Sequence, residues 1–172
     1  MMKDKNIVLT GFMGAGKSTV GRCIAHILKR KMVDTDDMVE SEVGMNISEI
    51  FAKHGEDYFR DIEEKIVAKA SQLKSHVIVT GGGIVLREKN IQNLRMNGVI
   101  IYLHASPEII YERVKKESHR PLLQVKDPLG KIRKLLEFRA PFYAKNDHVI
   151  DTSDLTIEKV AAEALNYLSI RQ

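Results

Sequence analysis

The sequence predicts an α/β fold, a parallel sheet with helices on both faces, formed as one domain over residues 1–172. Three observations predict it. Short apolar runs alternate along the chain with stretches of helical period. The runs are β-branched and do not alternate with polar residues, as suits strands covered on both faces. The composition, 44% hydrophobic and 29% charged, is that of an ordinary globular core, without internal repeats or low-complexity linkers.

Taken in order, NIVLT (6–10) reads as the first strand and residues 17–29 as a helix. KMVDT (31–35) is a second strand that ends in acids, followed by helices over 36–43 and 48–73. HVIVT (76–80) is a third strand running into Gly81-Gly82-Gly83, and a helix covers 87–96. GVIIYL (98–103) is the fourth strand. The Ser106-Pro107 pair, a cap followed by a first-turn proline, opens the next helix. Residues 129–145 are helical, HVIDT (148–152) is the fifth strand, and 156–170 closes the chain as a helix capped by Thr156. The least regular stretch runs from Ser118 to Pro128. It reads as a surface loop or as a mobile lid, with Arg120 as the residue that decides between them.

The charge balance, 27 basic against 23 acidic residues, gives +4. That mild surplus is interleaved with acids. It suits an anionic small-molecule substrate and excludes the clustered basic face of a nucleic-acid binder. Cys23 is the single cysteine, so an internal disulfide and a cysteine metal cluster are excluded. Lying among Val20, Ile24, Ile27 and Leu28, it reads as a buried small hydrophobe. No apolar run approaches the roughly 20 residues of a membrane span. The start, MMKDKNIVLTG, passes straight into a strand and lacks a signal peptide, so the cytoplasm is expected.

Gly11-x-x-x-x-Gly16-Lys17-Ser18, within GFMGAGKSTVGR, is the P-loop pattern. Glycines let successive backbone N–H groups converge on one phosphate, and the helix from Lys17 adds its positive dipole end. Lys17 is expected to reach the outer phosphates and the Ser18 hydroxyl to ligate Mg²⁺. The motif lies between a predicted strand and a predicted helix, as the mechanism requires. It implies a purine nucleotide and magnesium, and leaves the acceptor open among kinases, switches, motors and binding modules.

Asp34-Thr35-Asp36 falls at the C-terminal end of the second strand, where ligands of open parallel sheets bind. Strand alternation would place Asp34 and Asp36 on one side, one for magnesium and one for a substrate hydroxyl; a helix cap is the competing reading. The third strand ends in glycines with no Walker-B-type acid, which shifts the magnesium duty to Asp34. Its bare backbone, Gly81 to Gly83, would let a small substrate approach closely. Arg60, in GEDYFRDIEE, reads on its own as half of a surface ion pair with Glu63. Arg139, in FRAPFY, reads on its own as part of a solvated helix face.

These pieces, GFMGAGKSTVGR, DTD, FR-x-IE, TGGG, RPLL and RAPFY, occur together in this order over about residues 5–155. In that order and spacing the chain strongly resembles shikimate kinase. The resemblance implies a P-loop NTPase-like three-layer α/β/α fold of the nucleoside-monophosphate-kinase type, its five-stranded parallel sheet ordered 2-3-1-4-5. A helical substrate-binding section (35–62) and a lid (114–128) would be attached. It implies ATP as co-substrate on Gly14, Ala15, Gly16, Lys17, Ser18 and Thr19, with Arg113 against the adenine and Arg120 closing over the phosphates. Mg²⁺ would be held by Ser18, with Asp34 acting through water. Shikimate would meet Asp36 and the Gly81, Gly82 and Gly83 backbone through its hydroxyls, and Arg60 and Arg139 through its carboxylate. Lys17, Asp36 and Arg120 would be the catalytic residues. The loop after the fifth strand, DTSDLTIEK, lacks the proline some members carry near the adenine.

The chemistry of the residues agrees with a hydroxylated carboxylate as acceptor, since arginine's paired donors match a planar carboxylate. An aspartate of ordinary pKa, near 3.9, would orient the 3-hydroxyl rather than act as a full base. Two other functions compete: a gluconate-type small-molecule kinase on the same fold, and a non-catalytic ATP-binding module. The latter is expected to lack Lys17, Asp36 or one of the two arginines, and none is missing. A monomer is expected.

Overall fold

A computed structural model describes residues 4–115 and 125–170. Five strands, β1 (Asn6–Thr10), β2 (Met32–Asp34), β3 (Val77–Val79), β4 (Gly98–His104) and β5 (His148–Asp151), form one parallel sheet of order β2-β3-β1-β4-β5. Among the described residues seven α-helices accompany them: α1 (Lys17–Leu28), α2 (Thr35–Val43), α3 (Ile47–Ser71), α4 (Glu88–Asn97), α5 (Pro107–Val114), α6 (Pro128–Tyr143) and α7 (Ile157–Ile170).

The unbroken apolar strands follow from burial on two sides. Ile7 and Leu9 of β1 pack with Val77, Val79 and Ile101 against α1 and α7. Their neighbours Val8, Ile78 and Ile100 point the other way, into a second core with α3 and α4. The central strands β1, β3 and β4 therefore alternate between two apolar layers, while the edge strand β5 leaves Val149 and Asp151 exposed.

Three local features depart from the expected elements. The second strand stops at Asp34, because its carboxylate accepts from the Asp36 N–H at 3.0 Å and caps α2. Asp36 thus sits in the first turn of a helix, and the strand-alternation argument for the two acids does not hold. The long helix expected over 48–73 spans Ile47–Ser71 and is interrupted at Gly55 (φ 81°, ψ 177°). Its start is a capping box, with Asn46 and Glu49 each accepting from the other's N–H. Cys23 is half-buried rather than fully buried, packed at the edge of the α1–α7 core, and its expected neighbour Ile27 is 52% exposed. The expected Thr156 cap of α7 is present, its hydroxyl accepting from the Lys159 N–H at 3.4 Å. No helix among the described residues is long and apolar enough to cross a membrane.

Candidate active site

The P-loop joins β1 to α1 at the C-terminal edge of the sheet. Gly16 (φ 91°) caps α1 without a side chain, so the first-turn N–H groups are left for a ligand. The Lys17 ammonium is folded back over the loop, its Nζ donating to the carbonyls of Gly11 (2.8 Å) and Phe12 (2.9 Å). Ser18 Oγ donates to Asp34 Oδ2 at 3.4 Å, while the other Asp34 oxygen caps α2. One carboxylate therefore both shapes the backbone and faces the P-loop. Hydroxyl and carboxylate are hard oxygen donors of the kind that suit Mg²⁺. Among the described residues, no group of three or more His, Cys, Asp or Glu side chains could hold a metal ion by itself.

Beside the P-loop, a cleft of about 220 Å³ is lined by Ala15, Gly16, Thr19, Arg113, Leu155 and Ile157, among others. Arg113 borders it from α5, donating through Nη1 to Gly14 O (3.2 Å) and through Nη2 to Thr152 O (2.7 Å). The guanidinium plane is thereby held at the edge of the cleft.

Beyond β3, the triglycine turn gathers the acids and arginines. Gly81 N–H donates to Thr35 Oγ1 at 3.1 Å, which ties the turn to the start of α2. A Cβ on Gly81 would stand 2.5 Å from Asp36 Oδ1, and one on Gly83 would stand 2.4 Å from Arg60 Nη2. Only glycine admits the two side chains this close. Arg60 reaches the turn from α3, paired with Glu63 Oε2 at 2.7 Å and Glu56 Oε1 at 3.1 Å. Arg139 arrives from α6. Its Nη1 donates to Gly82 O at 3.3 Å, its Cζ lies 5.4 Å from the centroid of the Phe12 ring, and its Nε is buried with no hydrogen-bond partner.

Electrostatics separate the two aspartates. Burial pushes the Asp36 carboxyl up to about 7, and the neighbouring charges of Asp34 and Glu63 push the same way against Lys17. Asp34 is also raised by burial, opposed by the hydrogen bond from Asp36 N. The ordinary aspartate pKa assumed from sequence for Asp36 does not hold, because the acid sits in a crowded, poorly hydrated corner. The Arg60–Glu63 pair is likewise not the surface pair of the isolated reading: the Glu63 side chain is 1% exposed and its Oε1 has no hydrogen-bond partner.

The structure thus brings Lys17, Ser18, Asp34, Asp36, Arg60, Gly81, Gly82, Gly83 and Arg139 to one corner, with Gly14, Ala15, Thr19 and Arg113 beside it. Arg120 and most of the expected lid lie outside the described residues. Sequence reasoning missed Thr35, Glu63 and Tyr143 as site residues. Glu63 was legible in FRDIEE as the partner of Arg60, but its burial was not. Nothing local marks the reach of Tyr143, whose hydroxyl donates to Gly82 O at 2.6 Å across 61 residues of chain.

Comparison with known proteins agrees with this geometry. A family model described as shikimate kinase matches residues 13–169. A shikimate kinase of Caldanaerobacter subterraneus subsp. tengcongensis is 55% identical over 168 residues, covering 97% of this chain and 98% of that protein. The solved structure of shikimate kinase from Acinetobacter baumannii in complex with shikimate superposes with a TM-score of 0.93 at 35% identity, covering 99% of this chain and 96% of that one. A gluconokinase from Sinorhizobium meliloti shares the fold alone, with a TM-score of 0.62 at 16% identity, covering 98% of this chain and 93% of that one.

Proposed function

We propose that this chain, which belongs to the shikimate kinase family, transfers the γ-phosphoryl group of ATP to the 3-hydroxyl of shikimate through the residues gathered at the triglycine turn. The observation that carries the reading is the convergence of Arg60, Arg139 and Asp36 on Gly81–Gly83, next to the P-loop. Two guanidinium groups beside one carboxylate match an acceptor that has both a carboxylate and hydroxyls. A neutral polyol would make no use of the positive charge that the two guanidinium groups bring to the turn.

The roles follow from position. The P-loop amides from Gly14 to Thr19 hold the phosphates, and Lys17 exchanges its two carbonyl partners for the outer phosphates when nucleotide enters. The cleft bordered by Arg113 takes the adenine. Ser18 and Asp34 would hold Mg²⁺, Asp34 through water, and the ion would neutralise charge on the β- and γ-phosphates. Arg60 and Arg139 grip the shikimate carboxylate, the unpartnered Arg139 Nε being a donor in waiting. Asp36 meets the 3-hydroxyl. With its carboxyl near 7, it both orients that hydroxyl and is basic enough to take its proton. The helical section over 35–62 receives the acceptor; most of the lid expected over 114–128 lies outside the described residues. The proposal includes a monomeric, cytoplasmic enzyme, checked by sedimentation and by cell fractionation.

The direct test is an ADP-release assay with ATP and Mg²⁺ that offers shikimate, gluconate or no acceptor in parallel, with the product weighed by mass spectrometry. Release with shikimate alone, yielding a phosphorylated product, is expected. Release with gluconate would discard the acceptor and keep the mechanism. Nucleotide binding without acceptor-dependent release would favour a non-catalytic module.

A further inference from the structure

Two donors from successive turns of α6 meet on one carbonyl. Arg139 and Tyr143 are four residues apart, and both donate to Gly82 O, Arg139 Nη1 at 3.3 Å and Tyr143 Oη at 2.6 Å. The tyrosine holds the shorter bond. Its ring is 2% exposed and lies flat on Tyr102 of β4, with centroids 4.6 Å apart and planes 4° from parallel. Tyr102 is itself fixed, its hydroxyl 3.2 Å from His104 Nδ1. Gly82 also stands against the P-loop, where a Cβ on it would be 3.4 Å from Met13 N. The peptide that Tyr143 holds therefore lies between the nucleotide cradle and the acceptor arginines.

We propose that Tyr143 is a positioning residue for acceptor binding: its hydroxyl keeps the part-buried Gly82 carbonyl paired, and so leaves the Arg139 guanidinium available for the substrate carboxylate. This rests on the reading that Arg139 grips that carboxylate. A part-buried carbonyl that loses its shorter bond draws on the nearest remaining protein donor, here the Arg139 guanidinium. With the tyrosine hydroxyl in place, Arg139 holds Gly82 O through a long bond and gives it up cheaply. Without it, Arg139 is the remaining donor, and the incoming carboxylate must compete with Gly82 O for the same guanidinium. Burial also raises the Tyr143 phenol well above its usual range, so the group stays a donor at any working pH.

The test is Tyr143→Phe, which keeps the stacked ring and removes only the hydroxyl, measured alone and combined with Arg139→Ala. The expected result is a shikimate KM raised about three- to tenfold, the size of one neutral hydrogen bond. The ATP KM, kcat and melting temperature should stay within error. In the Arg139→Ala background, Tyr143→Phe should add nothing. An unchanged shikimate KM in Tyr143→Phe, with Arg139→Ala still raising it, overturns the proposal and spares the carboxylate grip. An Arg139→Ala enzyme with an ordinary shikimate KM overturns the grip itself, and this inference with it. A lowered melting temperature with all three kinetic constants moving together assigns the hydroxyl to the fold alone and also overturns the proposal.

Discussion

Arg60 Nη1 and Glu63 Oε2 meet at 2.7 Å on one face of α3, and the carboxylate is almost wholly buried. A buried carboxylate next to a guanidinium sets the direction in which that guanidinium points. Glu63→Gln keeps the shape and removes the charge. We expect stability at neutral pH to hold or rise slightly, because burial already disfavours the Glu63 charge and Arg60 keeps Glu56 as a partner. The shikimate KM should rise several-fold as Arg60 turns to its other partner, Glu56. Denaturant unfolding and steady-state kinetics check both, and an ATP KM that rises in parallel would contradict the assignment.

Asp36 titrates at about 7. The kcat/KM for shikimate, which reports groups in the free enzyme, should therefore fall on the acid side with a midpoint near that value. Asp36→Asn should remove the acid limb and cost roughly 10²–10⁴-fold in kcat. A pH profile flat from 5 to 8 in the native enzyme would show that the proton on Asp36 is not felt in the reaction.

The same shift makes a stability prediction of definite sign. The folded-state pKa of Asp36 lies above the ordinary carboxylate value, so the folded protein binds more protons than the unfolded chain between about pH 4 and 7. The contribution of Asp36 is fully present below about pH 4 and is lost as pH rises toward 7, amounting to about 2–4 kcal/mol. Glu63, raised by burial, acts in the same direction. Urea unfolding at pH 4.5, 6 and 7.5 should show this slope, and Asp36→Asn should flatten most of it.

Most of the architecture was legible because its signals are local. The P-loop is a contiguous pattern tied to one turn, and the apolar strand runs announce burial on two faces. The site was legible where a motif carries its own geometry, as at Lys17, Ser18 and the triglycine turn. It was illegible where meaning depends on what folds over a residue. An arginine and a glutamate three apart look the same whether the pair is exposed or, like Arg60–Glu63, enclosed. Asp34 ends β2 as the sequence suggests, but its bond to the Asp36 N–H also turns the chain into a helix and rotates the second acid away from the strand register. The pKa of Asp36 depends on Glu63, 27 residues further on, and no local pattern reports that crowding.

Arg139 stands half-buried with a free Nε and one long bond to Gly82 O. Arg139→Ala should raise the shikimate KM about 10–100-fold, the equivalent of one charge-assisted hydrogen bond. The ATP KM should hardly change, because the residue meets the P-loop at the Phe12 side chain rather than at its backbone amides. Isothermal titration with each substrate separates the two effects, and equal weakening of both would point to a disturbed loop rather than a lost grip.

The Lys17 ammonium donates to Gly11 O and Phe12 O, so it braces the P-loop, in addition to the phosphate contact proposed for it. Bracing and phosphate contact make different demands on a substitution. Lys17→Ala removes both, yet the loop conformation is also set by β1, by the start of α1, and by Ala15 N–H donating to Phe12 O at 3.2 Å. The fold should therefore stand, with a melting temperature within a few degrees of the native one, while phosphoryl transfer falls by roughly 10²–10³-fold or more for want of a positive charge at the outer phosphates. Removing Mg²⁺ with a chelator should stop transfer in the native enzyme without altering shikimate binding, since Arg60 and Arg139 act apart from Ser18 and Asp34. A Lys17→Ala protein that unfolds would make the lysine a structural brace first, and its part in transfer would then have to be measured on Lys17→Met, which keeps the buried stem.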